Sequence, residues 1–178
     1  MTNVRLELLS SLPTAEWGEV RSRLAEIQLA PEQMAFGGVP AKFVDQQSEP
    51  GREVFLVCAD GALVGVGSLI TGALPVDEWP LQTEAVQLRG VVIGMDHQGK
   101  GIGTEVSRQL KRLAAELVPN AEHLTLTVNQ RNPGARRTYE KAGFKALPEP
   151  YTGGPLGPQD IMYVELDESP IMGDATKG

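Results

Sequence analysis

A chain of 178 residues, 41% hydrophobic and 22% charged, suffices for one domain around one core and is too short for two ordinary domains. Its net charge of −7 opposes general nucleic-acid binding, where affinity rests on neutralising phosphates, and a single cysteine, Cys58, rules out an internal disulfide or a Cys/His zinc centre. No apolar run approaches the roughly eighteen residues of a membrane span, and MTNVRLELLS carries no basic stretch ahead of its apolar one. The expectations are therefore a cytoplasmic protein with no membrane, nucleic-acid or metal partner.

In chain order, VRLELL at 4–9 alternates and reads as a strand, and Trp17, Val20, Leu24 and Ile27 mark an amphipathic helix over 14–29. Pro31 suits the first turn of a second short helix, APEQMAF, and QQSEPG at 46–51 reads as a loop. VFLVCA and ALVGVGSLI flank Asp60-Gly61, a type I′ hairpin signal because both turn residues need positive φ. Residues 72–85 have no period and two prolines, a long surface connection of the kind that lines sites. VQLRGVVIG at 86–94 is the most apolar strand and is expected to be central. A glycine-rich turn leads to a helix striped by Val106, Leu110, Leu113 and Leu117. HLTLTV at 123–128 is a strand, 133–142 a short helix, and FKAL (144–147) and IMYVEL (161–166) are closing strands. The expected fold is one α+β domain over 1–168, with a mixed central sheet of about seven strands and about four helices, and a frayed tail at 169–178.

The chemistry concentrates at Gln98-Gly99-Lys100-Gly101-Ile102-Gly103, between a strand and a helix. Alternate glycines let the backbone turn sharply and leave its N–H groups open, so that with the positive end of the helix they cradle phosphate. A nucleotide P-loop fails because Gly101 stands where a serine or threonine is needed. A dinucleotide fingerprint fails because the glycines fall at 99, 101 and 103 with no βαβ repeat. A plain strand-to-helix turn and a pyrophosphate cradle of the acetyl-CoA kind remain.

On two motifs the chain resembles the GNAT superfamily of N-acetyltransferases. VVIGMDHQGKGIG is similar to that family's motif A, and NPGARRTYEKAGF (132–144) to its second signature, N-x-x-A-x-x-x-Y-x-x-x-G-F. The resemblance implies acetyl-CoA as co-substrate and direct attack by an amine within a ternary complex. By position it places Val91, Val92 and Ile93 along the pantetheine arm, Gln98 through Thr104 at the pyrophosphate, Asn132 at the cofactor, and Tyr139 as the acid that protonates the departing thiolate. Read from the residues alone, without the flanking motif, Tyr139 is a core aromatic on the apolar stripe of its helix, and Asn132 is equally a helix cap. Met95 and His97 replace a proline and a tyrosine common in the family. Thr127 stands where some protein-acetylating members carry glutamate.

The acceptor and the general base are less marked. Asp77, Glu78 and Glu84 lie in the long connection, and Glu84 is the candidate base or water relay. Residues 98–145 carry a balance of +5 and the remainder −12, which suits a cationic acceptor or plain solubility. APEQMAF and GPLG (154–157) resemble the spermine/spermidine-acetylating branch, pointing to a polyamine held by Glu32 and Asp77. Aminoglycosides, peptide amino termini, an acyl-CoA sensor without turnover, and assembly as a homodimer stay open.

Overall fold

The computed structural model describes residues 1–71 and 84–166. Seven strands, β1 (Val4–Leu8), β2 (Arg52–Ala59), β3 (Ala62–Ile70), β4 (Ala85–Ile93), β5 (His123–Asn129), β6 (Lys145–Ala146) and β7 (Gln159–Glu165), join in one sheet. Their order across it is β1-β2-β3-β4-β5-β7-β6, so the most apolar strand, β4, takes the middle as expected. All neighbours are antiparallel except β4 and β5, which makes the sheet mixed. Asp60 (φ 50°) and Gly61 (φ 83°) form the hairpin turn with the two positive φ angles that the Asp-Gly pair signals.

Four helices of seven residues or more flank the sheet: α1 (Trp17–Ala25), α2 (Pro31–Gly37), α4 (Ile102–Leu117) and α5 (Pro133–Lys141), with a single turn, α3 (Phe43–Gln46), between α2 and β2. α1 stops short of the expected 29 because Pro31 holds Ala30 extended (φ −63°, ψ 147°) and the preceding residues run beside the end of β4, where Met95 N donates to the Gln28 carbonyl at 2.8 Å. α3 is additional to the expected elements and overlaps the start of the expected loop. It follows a 3-10 turn at Pro40–Lys42 and buries Phe43 and Val44.

The sheet divides the core in two. On one face Phe55, Leu69, Val86, Leu88, Leu124 and Leu126 meet Ile102, Val106, Leu110 and Ala114 of α4. On the other, Val54, Leu56, Val66 and Val92 meet Val20 and Leu24 of α1 and Phe43 and Val44 of α3. Each fully buried leucine or valine contributes about 1.5–3 kcal/mol, so the α4 stripe anchors that helix firmly.

Two departures from regular pairing create the site. β4 and β5 pair only over Ala85–Gln87 and His123–Thr125, and beyond that point the strands part. β4 also bulges: its register with β3 shifts between Gly67 and Leu69, and Gly90 takes φ +80°. A Cβ at Gly90 would sit 3.0 Å from the Phe43 ring and 3.1 Å from the Gly37 carbonyl oxygen, so glycine lets α2 and α3 close on the strand. The Ser68 hydroxyl donates to the Arg89 carbonyl at 2.6 Å and accepts from Arg52 Nη1 at 3.1 Å, which secures the bulge.

Candidate active site

Beyond the parting of β4 and β5 lies a cleft of about 790 Å³, within the usual range of small-molecule sites. Its first wall begins at Val91–Ile93 and continues through a 3-10 turn (Met95–His97) into the glycine loop. The Gln98 side-chain amide donates to the Ile93 carbonyl at 3.0 Å and folds the loop back on the strand. Gly99 (φ 73°) and Gly101 (φ 79°) are left-handed, and a Cβ at either would meet nothing within 4 Å. Backbone conformation, not crowding, therefore requires glycine at both. Gly101 caps α4, its carbonyl accepting from Glu105 N at 3.1 Å. The first-turn amides that follow have no intrahelical acceptor and carry the positive end of a 16-residue helix.

α5 forms the adjoining wall. Asn132 Oδ1 accepts from Ala135 N at 3.3 Å, so this residue caps the helix while lining the cleft. Gly103 allows α4 to approach α5, since a Cβ there would lie 3.2 Å from Thr138 Cγ2. Tyr139 lies on the half-buried stripe of α5, its ring 5.7 Å from that of Phe144, and also lines the cleft. Desolvation pushes its phenol up to about 12, so the hydroxyl keeps its proton throughout the neutral range. Arg136 ties α5 to β7 through Asp160 (2.5 Å) and pairs with Glu140 (2.9 Å) on its own helix.

The rest of the lining is assembled from distant segments. Glu32, Gln33 and Phe36 of α2 face Thr127 and Asn129 of β5 and Pro155, Leu156 and Gln159. The Leu156 carbonyl accepts from Asn129 Nδ2 at 3.0 Å and Arg131 Nη2 at 2.9 Å, and the Arg131 guanidinium stacks 5.9 Å from the centre of the Phe36 ring. These contacts tie the 151–158 loop to the end of β5 and, through Arg131, to α2.

Most of the residues singled out from sequence meet here: Val91, Val92, Ile93, Gln98, Gly99, Gly101, Ile102, Gly103, Thr104, Asn132, Tyr139 and Glu32 all line the cleft. Lys100 faces an adjoining hollow with Met1–Val4, Glu105 and Gln109. Glu84 does not reach the cleft. It is exposed at the start of β4, its carbonyl held by Glu122 N at 2.8 Å, at the far end of the strand from the glycine loop and roughly 30 Å away at strand rise. Asp77 and Glu78 lie outside the described residues. His97 lines the cleft half-buried, and His123 is buried edge-on to Tyr163 at 5.8 Å between ring centres. Gly90 and Asn129 line the site without having been marked by sequence, and Arg131 supports it from behind through Leu156 and Phe36. An interior glycine in an apolar strand was the available signal for the first.

A profile of the Acetyltransferase (GNAT) family matches residues 15–144. Uncharacterized N-acetyltransferases of Mycobacterium bovis and Mycobacterium tuberculosis are 29% identical over 105 residues, covering 59% of this chain and 60% of theirs. The match thus spans less than two thirds of those relatives' length. The aminoglycoside acetyltransferase AAC(6')-Ib in complex with coenzyme A superposes with a TM-score of 0.70 at 19% identity, over 99% of this chain and 100% of that one. Spermidine N-acetyltransferase from Vibrio cholerae, in complex with CoA and spermine, gives 0.61 at 17% identity, over 93% and 96%. At these identities the likeness is one of fold.

Proposed function

The chain belongs to the acetyltransferase (GNAT) family, and from that premise we propose that it transfers an acetyl group from acetyl-CoA to a primary amine on a small cationic molecule, such as a polyamine. The observation that carries this reading is the convergence in one cleft of a left-handed glycine loop capping α4, a strand edge released from pairing, and a protonated phenol. Acetyl-CoA brings an activated acyl group on a thiol leaving group and a pyrophosphate handle. The chain's residues fit that molecule. The first-turn amides of α4 and the loop from Gln98 to Thr104 offer donors to the pyrophosphate, with Lys100 adding charge from the side. Val91–Ile93 present main-chain groups that β5 leaves unpaired, and Asn132 borders the same space.

In the overall reaction a C–N bond forms, a C–S bond breaks, the amine gives up a proton and the sulfur takes one. Tyr139 holds a proton at its hydroxyl oxygen for the departing sulfur. Its desolvation keeps that proton in place, whereas an ionised phenolate could donate nothing. An aliphatic amine with a pKa near 10 is only about one-thousandth neutral at pH 7, so the site must favour the neutral form.

For the acceptor, support comes from three sides. The two segments that resemble the polyamine-acetylating branch, 30–36 and 154–157, line the same cleft. Glu32 stands at its rim, and the chain outside 98–145 carries −12. The structures similar in fold were solved with aminoglycosides and with spermine. Thiol release from acetyl-CoA against polyamines, aminoglycosides, amino acids and peptide amino termini tests the reading. Turnover is expected with a polycation. Binding of acetyl-CoA with no turnover on any amine would make the protein an acyl-CoA sensor instead.

A further inference from the structure

The two helices that border the cleft are held in different ways. α4 buries Ile102, Val106, Ser107, Leu110 and Ala114, whereas α5 buries no residue fully and lends the core only half-buried Ala135 and Tyr139. The placement of α5 therefore leans on polar contacts, and these converge on Asp160 of β7. Asp160 pairs in register with Val128, a member of the core on the α4 side. Paired residues share a face and side chains alternate along a strand, so Asp160 turns to that face with Met162 and Val164, in a row that is otherwise apolar. Its side chain is only 14% exposed. Both carboxylate oxygens are engaged: Oδ1 accepts from Gln130 Nε2 at 3.0 Å and Oδ2 from Arg136 Nη1 at 2.5 Å. One side chain thus joins β7, the turn that leads to Asn132, and the body of α5.

Arg136 and Tyr139 are three residues apart and so are neighbours on the helix surface. Holding the guanidinium to β7 fixes the rotation of α5 about its axis, and with it the direction of the Tyr139 hydroxyl. Resting on the acetyl-transfer reading above, we propose that Asp160 is a positioning residue, which through Arg136 and Gln130 holds α5 where the Tyr139 hydroxyl meets the departing sulfur. A proton donor has to come within about 2.6–3.2 Å of the atom it serves, and a displacement of about 1 Å can cost about a hundredfold in rate. The strand edge, the glycine loop and α4 do not rest on this carboxylate, so its loss falls on the chemical step and not on acetyl-CoA binding.

The test is a cycle of wild type, Asp160→Asn, Tyr139→Phe and the double variant, in thiol release from acetyl-CoA with spermine. Asp160→Asn is expected to lower kcat about tenfold or more, with the acetyl-CoA Kd within about twofold. Tm should change little, since a partly exposed ion pair adds little stability. In the Tyr139→Phe background the same substitution should change kcat less than about twofold, because the group it positions is gone. Equal losses in both backgrounds, or a wild-type kcat in Asp160→Asn, overturn the role of Asp160 and leave acetyl transfer standing. If Asp160→Asn does not fold, Arg136→Gln decides by the same cycle. Full activity in Tyr139→Phe would sink the acid reading and this proposal with it. Wild type that releases no thiol would sink the acetyl-transfer reading, and ultraviolet titration then judges the placement of α5 alone. A Tyr139 step that falls below about 12 in Asp160→Asn supports the tie, and an unmoved step overturns it.

Discussion

On the wall formed by the end of β4, the glycine loop and the first turn of α4, the groups on offer are main-chain amides and carbonyls. On the rest of the lining, from α2 (packed on β4), the end of β5 and residues 155–159, they are side chains: Glu32, Gln33, Phe36, Asn129, Leu156 and Gln159. The first wall is contiguous in sequence and depends on backbone conformation at two left-handed glycines. The second exists only because the sheet order brings three separate segments together. A backbone wall can hold one ligand while substitutions in the side-chain lining change what is brought to it. That division suits one shared co-substrate and a variable acceptor.

The comparison breaks most sharply at Gly101. Replacing it by aspartate forces a side chain into a left-handed backbone, which costs about 1–2 kcal/mol, and sets an anion at the helix end proposed to bind pyrophosphate. Acetyl-CoA affinity should fall by roughly two orders of magnitude or more in calorimetry, while amine binding stays near wild type. Equal affinity for acetyl-CoA would mean that the loop is only a turn. Gly101→Ala should lose much less, because it adds strain without charge.

Tyr139→Phe asks what lies between the walls. Removing a positioned general acid typically lowers kcat by about 10²–10⁴, and the effect should appear in kcat with acetyl-CoA affinity little changed. Ultraviolet titration supplies an independent check: the phenol of Tyr139 should ionise near 12, and that step should vanish in the phenylalanine variant. The sign for stability follows. Between the ordinary value of 10 and about 12 the unfolded chain releases this proton and the folded chain keeps it, so stability falls as pH rises through that window. Tyr139→Phe should flatten that part of the alkaline unfolding curve, and an equally steep loss in both proteins would place the destabilising group elsewhere.

The same contrast explains what could be read from sequence. The glycine loop, the Asn132 cap, the Asp60-Gly61 hairpin and the α4 stripe are local patterns whose spacing dictates conformation, and each appears where the spacing puts it. α3 escaped because four residues behind a proline-led 3-10 turn are too few to show a period. Glu84 looked plausible as a base from its closeness to β4 in sequence. Proximity in sequence did not say which end of the strand faces the cleft, and the structure puts Glu84 at the other end. Asn129 and Arg131 could not have been matched to Leu156 and Phe36 before the strand order was known.

The smallest expected effect belongs to the acceptor wall. Glu32 is the carboxylate that described residues bring to the cleft, and it is exposed at the rim, where water and salt weaken its field. Glu32→Gln should therefore raise the KM of a polycationic amine only about two- to fivefold at low salt, since an exposed charge contributes less than about 1 kcal/mol. The difference should shrink as ionic strength rises, because the screening length drops from about 10 Å at 0.1 M to about 3 Å at 1 M. Wild-type KM for the amine should itself climb with salt, reflecting the −12 carried outside 98–145, and the substituted protein should climb less steeply. Acetyl-CoA affinity should not respond to the substitution, since its anionic groups are assigned to the other wall. An amine KM indifferent to both salt and Glu32 would show that the acidic remainder serves solubility, and the acceptor would then have to be sought among neutral or carboxylate-bearing amines. The assignment of acetyl transfer would stand under that outcome, because it depends on 91–104 and 132–144 and not on the acids.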